Sequence, residues 1–268
     1  MKVVNRADWT SRIPRNEKVD LDDEVDGLPN FVASEVKGVA IHYTGMKTTA
    51  NNDPFDLLRS VMSHDMDVKR ISDIMYNLAV TPTGEVVVCR GLINRGGANS
   101  ASDPMMNRRY VSILVLVGVD DKITKAMIEG IKFARACSLY LYPNGTEVVG
   151  HRQIRATACP GEALQKLVDN GSLSADYNPN PVVFNNPAPT LTIGNRNSAV
   201  FDLQNILIFF GFNQSPADGV YGPKTQAAVA SFQQMLKDAN LYPYTVDGIY
   251  GPKTAEGLAK FQEILSNL

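Results

Sequence analysis

The chain has 268 residues, room for one large domain or two modest ones. Hydrophobic residues make up 44% and charged residues 20%, which excludes a disordered or fibrous chain. The formal net charge of -2 provides no basic field for nucleic acid, and no partner of that class is expected.

The N-terminus, MKVVNRADW, lacks the apolar core of a secretory signal, so synthesis in a cytoplasm is expected. The acidic stretch from Asp20 to Gly27 reads as a solvated loop, with only a weak calcium signal. From Val36 to Gly45 the residues alternate, with Val39, Ile41 and Tyr43 on one face and Ala40, His42 and Thr44 on the other: a strand. Asp53-Pro54 then opens a helix, since Asp caps the first amides and Pro suits the first turn; Phe55, Leu58 and Met62 form its apolar stripe. Two apolar runs around Pro82-Thr83-Gly84 predict a hairpin over 74–91. The run YVSILVLVGV, Tyr110 to Val119, is the longest apolar segment. It falls well short of the roughly 20 residues that span a bilayer, so it reads as a buried strand and no membrane insertion is expected. Thr124 caps a helix whose inner face carries Met127, Ile131, Ala134, Ser138 and Leu141. A short strand, EVVG, ends at His151.

A stretch rich in proline and asparagine, Tyr177 to Thr190, cannot be helix or central strand and reads as an extended, semi-stiff linker. The domains are therefore set at 1–172 and 194–268, with a linker over 173–193. Beyond it lies a repeat: DGVYGPKTQAAVASFQ, Asp218 to Gln233, recurs as DGIYGPKTAEGLAKFQ, Asp247 to Gln262. The same offset maps Leu203-Gln204 onto Phe232-Gln233, so the middle helix ends one repeat and begins the next. The expected fold is α/β, a mixed central β-sheet flanked by helices, followed by a small all-α module of three helices joined by Asp-Gly turns.

Three histidines and three cysteines are available for metal or nucleophilic chemistry. His42 and His151 each end a strand, and Cys159 follows His151 within one loop. Two imidazoles and a thiolate leave a fourth tetrahedral position for water, the open geometry of a catalytic zinc site. From spacing alone these residues can equally be polar strand ends and a small buried hydrophobe. Cys89 and Cys137 read as core, and three widely spaced cysteines make a poor disulfide framework.

The segments ADWTSRIP around Trp9, GVAIHYTG, DIMYNLAVTPTGEVVVCRG, VSILVLVG and GHRQIRATACPG, in that order, resemble the zinc amidase family that includes the peptidoglycan recognition proteins and the amidase-type phage lysozymes. The resemblance covers most of the first domain. It implies His42, His151 and Cys159 as ligands of Zn2+, Tyr76 as catalytic tyrosine, and hydrolysis of the amide between N-acetylmuramic acid and L-alanine. Some members carry a lysine where this chain has Thr157, which is expected to act as a catalytic hydrogen-bond donor. Many carry a histidine where it has Asn99, and Asn99 and His64 are expected to contact substrate. Receptors of the family typically lack the ligand cysteine, whereas Cys159 is present. The repeat resembles a helical peptidoglycan-binding module, with Tyr221 and Tyr250 as candidate contacts. Together the two parts imply a monomeric phage endolysin, resident in the host cytoplasm until release and acting then on bacterial peptidoglycan in the cell wall. The rival readings are a non-catalytic peptidoglycan receptor and a bacterial wall-recycling amidase.

Overall fold

The computed structural model describes residues 3–4, 6–14, 30–49, 52–99, 103–142, 144–175, 190–212 and 217–267. In chain order these form β1 (Val3–Val4), α1 (Arg6–Trp9), β2 (Gly38–Tyr43), α2 (Pro54–Ser63), β3 (Leu78–Val80), β4 (Val86–Val88), α3 (Pro104–Arg109), β5 (Tyr110–Val115), α4 (Lys125–Leu141), β6 (Glu147–Gly150), α5 (His151–Ile154), α6 (Glu162–Asp169), α7 (Ser198–Phe210), α8 (Pro223–Asp238) and α9 (Pro252–Asn267). The acidic stretch Asp20 to Gly27 and all but the last residue of the proline-rich stretch lie outside the described residues.

The strands make one sheet in the order β1-β4-β3-β5-β2-β6. Only the β3–β4 hairpin is antiparallel. The alternation read from the sequence decides the two faces. Val39 and Ile41 of β2 pair with Val111 and Ile113 of β5, and together with Leu78, Val80, Val86 and Val88 they join the core beneath α4. The opposite face carries Ala79, Val87, Cys89 and Leu114, covered by Leu57, Leu58 and Met62 of α2 and by Trp9. His42 is registered beside Leu114 and so belongs to this second face. β5 is buried throughout, as a central parallel strand must be when helices cover both faces.

The helix starts follow from their caps. Asp53 Oδ1 accepts from the amides of Phe55 and Asp56 at 2.9 and 3.0 Å, and Thr124 Oγ1 accepts from Met127 N at 3.1 Å. α2 ends in a π-helical turn over His64–Val68. The sequence reading named neither α3 nor β1; α3 opens with an Asp103 cap of the same kind, whose Oδ1 accepts from Met105 N at 3.0 Å.

The repeat has a specific physical cause. Gln204 Oε1 accepts from Asp218 N and Gly219 N, while its Nε2 donates to Asp218 Oδ1, Val220 O and Thr225 Oγ1. Gln233 does the same one repeat later with Asp247, Gly248, Ile249 and Thr254. Each glutamine thus closes one Asp-Gly turn from inside. An unpaired buried amide costs about 1–3 kcal/mol, so a side chain engaged at every polar atom is what lets Gln233 sit fully buried. Tyr221 and Tyr250 are equally buried, and Tyr221 donates to Gly248 O at 2.7 Å. Both tyrosines are core residues of the module; the expectation that they offer surface contacts is corrected.

The helical module was expected to stand apart from the first domain. Instead the two pack together. α9 lies against α4, and one hydrophobic core continues from the sheet into α7 and α8. Gly211 ends α7 in the left-handed conformation against the turn after β4. A Cβ on Gly91 would stand 2.6 Å from Gly211 Cα, so only glycine permits this approach. Asn94 Nδ2 donates to Arg90 O and to Gly211 O, both at 3.0 Å, tying the two parts. The contact lies on the α4 side of the sheet, across it from His42.

Candidate metal centre

β2 and β6 are parallel neighbours, with Ile41 beside Gly150. The next residues in the chain are His42, within β2, and His151, the first residue of α5, side by side at the same end of the sheet. Their rings lie 4.4 Å apart, centre to centre. The loop after α5 returns Cys159 to them: Arg152 N donates to Cys159 O at 2.8 Å, and Arg152 Nη2 to Ala158 O at 2.6 Å. Cys159 Sγ lies 3.7 Å from His42 Nδ1. One potential ligand atom from each of the three residues falls within 4.8 Å of the others. The three predicted ligands are thus brought together from segments far apart in the chain.

Each histidine has one nitrogen engaged elsewhere. His42 Nε2 meets Asn99 Oδ1 at 2.9 Å, and His151 Nε2 meets Asn99 O at 2.8 Å. Asn99 was expected to contact substrate. It is fully buried behind the two rings, and its side chain is engaged with His42, Met106 O and Tyr110 O. That expectation is corrected: a residue with no exposed surface and a fully engaged amide cannot receive a sugar or peptide.

Tyr76 is half-buried and stands edge-on to His42, with ring centres 5.3 Å apart. Its segment is held by side chains on both sides. Asn77 donates to Gly91 O and Asn94 O and accepts from Ser112 N. Arg90, buried, donates to Ile74 O, Arg95 O and Asp73 O. Asp73 in turn pairs with Arg6 of α1 at 2.6 Å. Sequence reasoning placed Asn77 and Arg90 in a motif but missed their function as braces around Tyr76. Thr157 is exposed on the cysteine loop, where its hydroxyl oxygen accepts from Cys159 N at 3.2 Å and its own proton remains available. His64 is exposed on the π-helical turn and is not one of the clustered ligands.

The electrostatics suit neutral ligands. Burial, and then the neighbouring His151, lower the pKa of His42 from 6.5 to about 3 in the metal-free protein. Burial lowers His151 as well. Burial pushes the Cys159 thiol up to about 11. Burial, and then Asp65, push the Tyr76 phenol far above its usual range, so it is a standing proton donor. The stability of the metal-free protein carries a signature of His42. Its pKa is lower folded than unfolded, so between 6.5 and about 3 the unfolded chain binds a proton that the folded one does not. Stability is therefore complete above 6.5 and falls with pH through that window, by up to about 1.4 kcal/mol per pH unit for one proton. Urea midpoints of chelated protein should show this slope, and His42→Gln should reduce it, leaving the part that His151 contributes. An equal slope in the variant would contradict the burial of a neutral imidazole.

A family model described as N-acetylmuramoyl-L-alanine amidase matches residues 32–162, a span that holds His42, Tyr76, Asn99, His151 and Cys159. The chain carries an amidase-family domain. A second model, a putative peptidoglycan binding domain, matches residues 196–237, covering the first repeat and the helix it shares with the second. Peptidoglycan-recognition protein SD of Drosophila simulans is 25% identical over 167 residues, which is 62% of this chain and 83% of that protein. The crystal structure of Drosophila peptidoglycan recognition protein SD superposes with a TM-score of 0.52 at 22% identity, over 63% of this chain and 94% of that one. A variant of Drosophila peptidoglycan recognition protein LB, solved in complex with tracheal cytotoxin, gives 0.51 at 22% identity, over 62% of this chain and 92% of that one. The structural likenesses establish that the amidase domain has the peptidoglycan recognition protein fold. The two family matches give the chain peptidoglycan amidase or peptidoglycan-binding function, with peptidoglycan as partner.

Proposed function

We propose that the chain is a zinc-dependent N-acetylmuramoyl-L-alanine amidase that cuts the bond between N-acetylmuramic acid and L-alanine in bacterial peptidoglycan, and that it serves a phage as an endolysin. The convergence of His42, His151 and Cys159 carries the reading. Two neutral imidazoles with their Nε2 atoms engaged keep their Nδ1 atoms for a metal, that of His42 3.7 Å from the Cys159 sulfur, a donor set that fits zinc and leaves one position open. When bound at such a site, zinc supplies an acidified water, with pKa lowered to about 7, and polarises a carbonyl.

The chain's own residues do the remainder. The edge-on packing of Tyr76 against His42 holds its hydroxyl at the rim of the cluster, where it donates to the oxygen on which negative charge develops. Thr157 offers a second, neutral donor from the cysteine loop. The exposed side of that loop is where substrate enters, because the other side is closed by Asn99 and the sheet. The helical module adds a second hold on the wall. An insoluble wall presents the same unit many times, and a second binding site on the same chain raises the effective concentration of the first. Among the described residues no helix is long and apolar enough to cross a membrane. On the endolysin reading the protein stays in the host cytoplasm until another protein opens a path to the wall.

Digestion of purified walls tests the bond that is cut. The expected products are stem peptides with a new amino terminus on alanine, and glycan strands left intact. New reducing ends without free alanine amines would indicate a glycosidase and sink the proposal. The names of the relatives favour a second reading, a recognition protein without activity. It predicts binding to walls with no product of either kind, and the presence of Cys159 in the cluster speaks against it.

A further inference from the structure

We propose that Asn99 is a positioning residue that sets the tautomer of both histidines at once, so that both Nδ1 lone pairs face one point before any metal arrives. The inference rests on reading His42, His151 and Cys159 as a zinc site.

The orientation of the Asn99 amide is not free. Its Nδ2 faces two backbone carbonyls, Tyr110 O at 2.7 Å and Met106 O at 3.2 Å. Carbonyls only accept, so this end must be the NH2 group and the other end must be Oδ1. Oδ1 only accepts as well. The nitrogen it meets at 2.9 Å, His42 Nε2, must therefore carry the proton. His151 Nε2 meets the backbone oxygen of the same residue at 2.8 Å, and a backbone oxygen can only accept. It too must be protonated. A neutral imidazole carries one proton, so Nδ1 of each ring is left with its lone pair. Of these, His42 Nδ1 lies 3.7 Å from Cys159 Sγ, and His151 brings a potential ligand atom within 4.8 Å of both.

Asn99 is itself held from three sides. Its backbone amide donates to Asn107 Oδ1 at 2.8 Å, and Ser112 Oγ approaches Oδ1 at 3.4 Å. Asn107 and Met106 belong to α3, while Tyr110 and Ser112 belong to β5. The short helix that the sequence reading did not name thus serves as a brace: it fixes the one residue that orients two ligands. An asparagine suits this position because it offers an acceptor to His42 and donors to the carbonyls behind it, with no charge to bury. Outer-shell partners of ligating histidines are worth roughly 10- to 100-fold in metal affinity.

The test begins with unmodified, metal-free protein. Long-range proton–nitrogen spectra of its histidine rings should show His42 and His151 both in the Nε2–H form. If either ring is in the Nδ1–H form, the proposal is overturned whatever any variant does. Asn99→Leu removes the acceptor for His42 and keeps the backbone oxygen for His151. It should mix the tautomers of His42 alone and weaken zinc binding, measured by chelator competition, roughly 10- to 100-fold. A leucine variant with unchanged His42 spectra and unchanged zinc affinity would reduce Asn99 to packing and overturn the proposal. A wild type with both rings in the Nε2–H form but no affinity for zinc would instead remove the metal reading and leave the tautomer assignment standing.

Discussion

Cys159→Ser is expected to lose zinc and wall lysis together. The serine hydroxyl does not ionise near neutral pH and cannot replace a thiolate as ligand. Two imidazoles would remain. A structural zinc site is worth on the order of 10 kcal/mol, so one ligand in three is about 3 kcal/mol or more, a hundredfold or more in affinity. Lysis should fall to background because no activated water remains. The fold should survive: Cys159 is half-buried on a loop whose closure depends on Arg152 and the backbone, not on the sulfur. Thermal unfolding of the metal-free variant should therefore match metal-free wild type. A variant that keeps full zinc and full lysis would show that Cys159 is not a ligand.

Tyr76→Phe should have the opposite profile, with zinc retained and turnover lost. The substitution keeps the ring that packs edge-on against His42 and removes only the hydroxyl. A donor to a developing oxyanion is worth about 10²–10³-fold in kcat. KM should move little, because the bond strengthens in the transition state and not in the ground state. Wild-type turnover in Tyr76→Phe would leave Tyr76 as a packing residue.

The parts of this site that follow local rules were legible in the sequence. Alternation around His42 fixes which face of β2 it occupies, and the structure bears out that face. The caps at Asp53 and Thr124 start helices where expected, because a cap is an interaction within four residues. The repeat offset was visible, and Gln204 and Gln233 supply its cause. Contacts made over long separations were not legible. Asn99 sits in a loop of small and polar residues, and its chemistry is set by α3, β5 and two histidines that arrive from elsewhere. A polar residue in such a loop looks solvated until the elements around it are placed. The packing of the helical module against the amidase domain turns on two glycines, Gly91 and Gly211, whose approach no periodicity announces. Tyr221 and Tyr250 were candidate contacts by resemblance alone; here each ring fills the module's core.

The central claim is that three residues of this chain hold a zinc that makes it an amidase. The most direct test uses a soluble muramyl-peptide, which needs no help from the wall-binding module. Protein stripped with chelator, then titrated with zinc, is incubated with this substrate, and the products are followed by mass spectrometry. Cleavage between the muramic acid and alanine should be absent in stripped protein and should rise to a plateau at one zinc per chain. Cleavage by fully stripped protein, or a zinc-loaded protein that binds the substrate and leaves the amide intact, would contradict it.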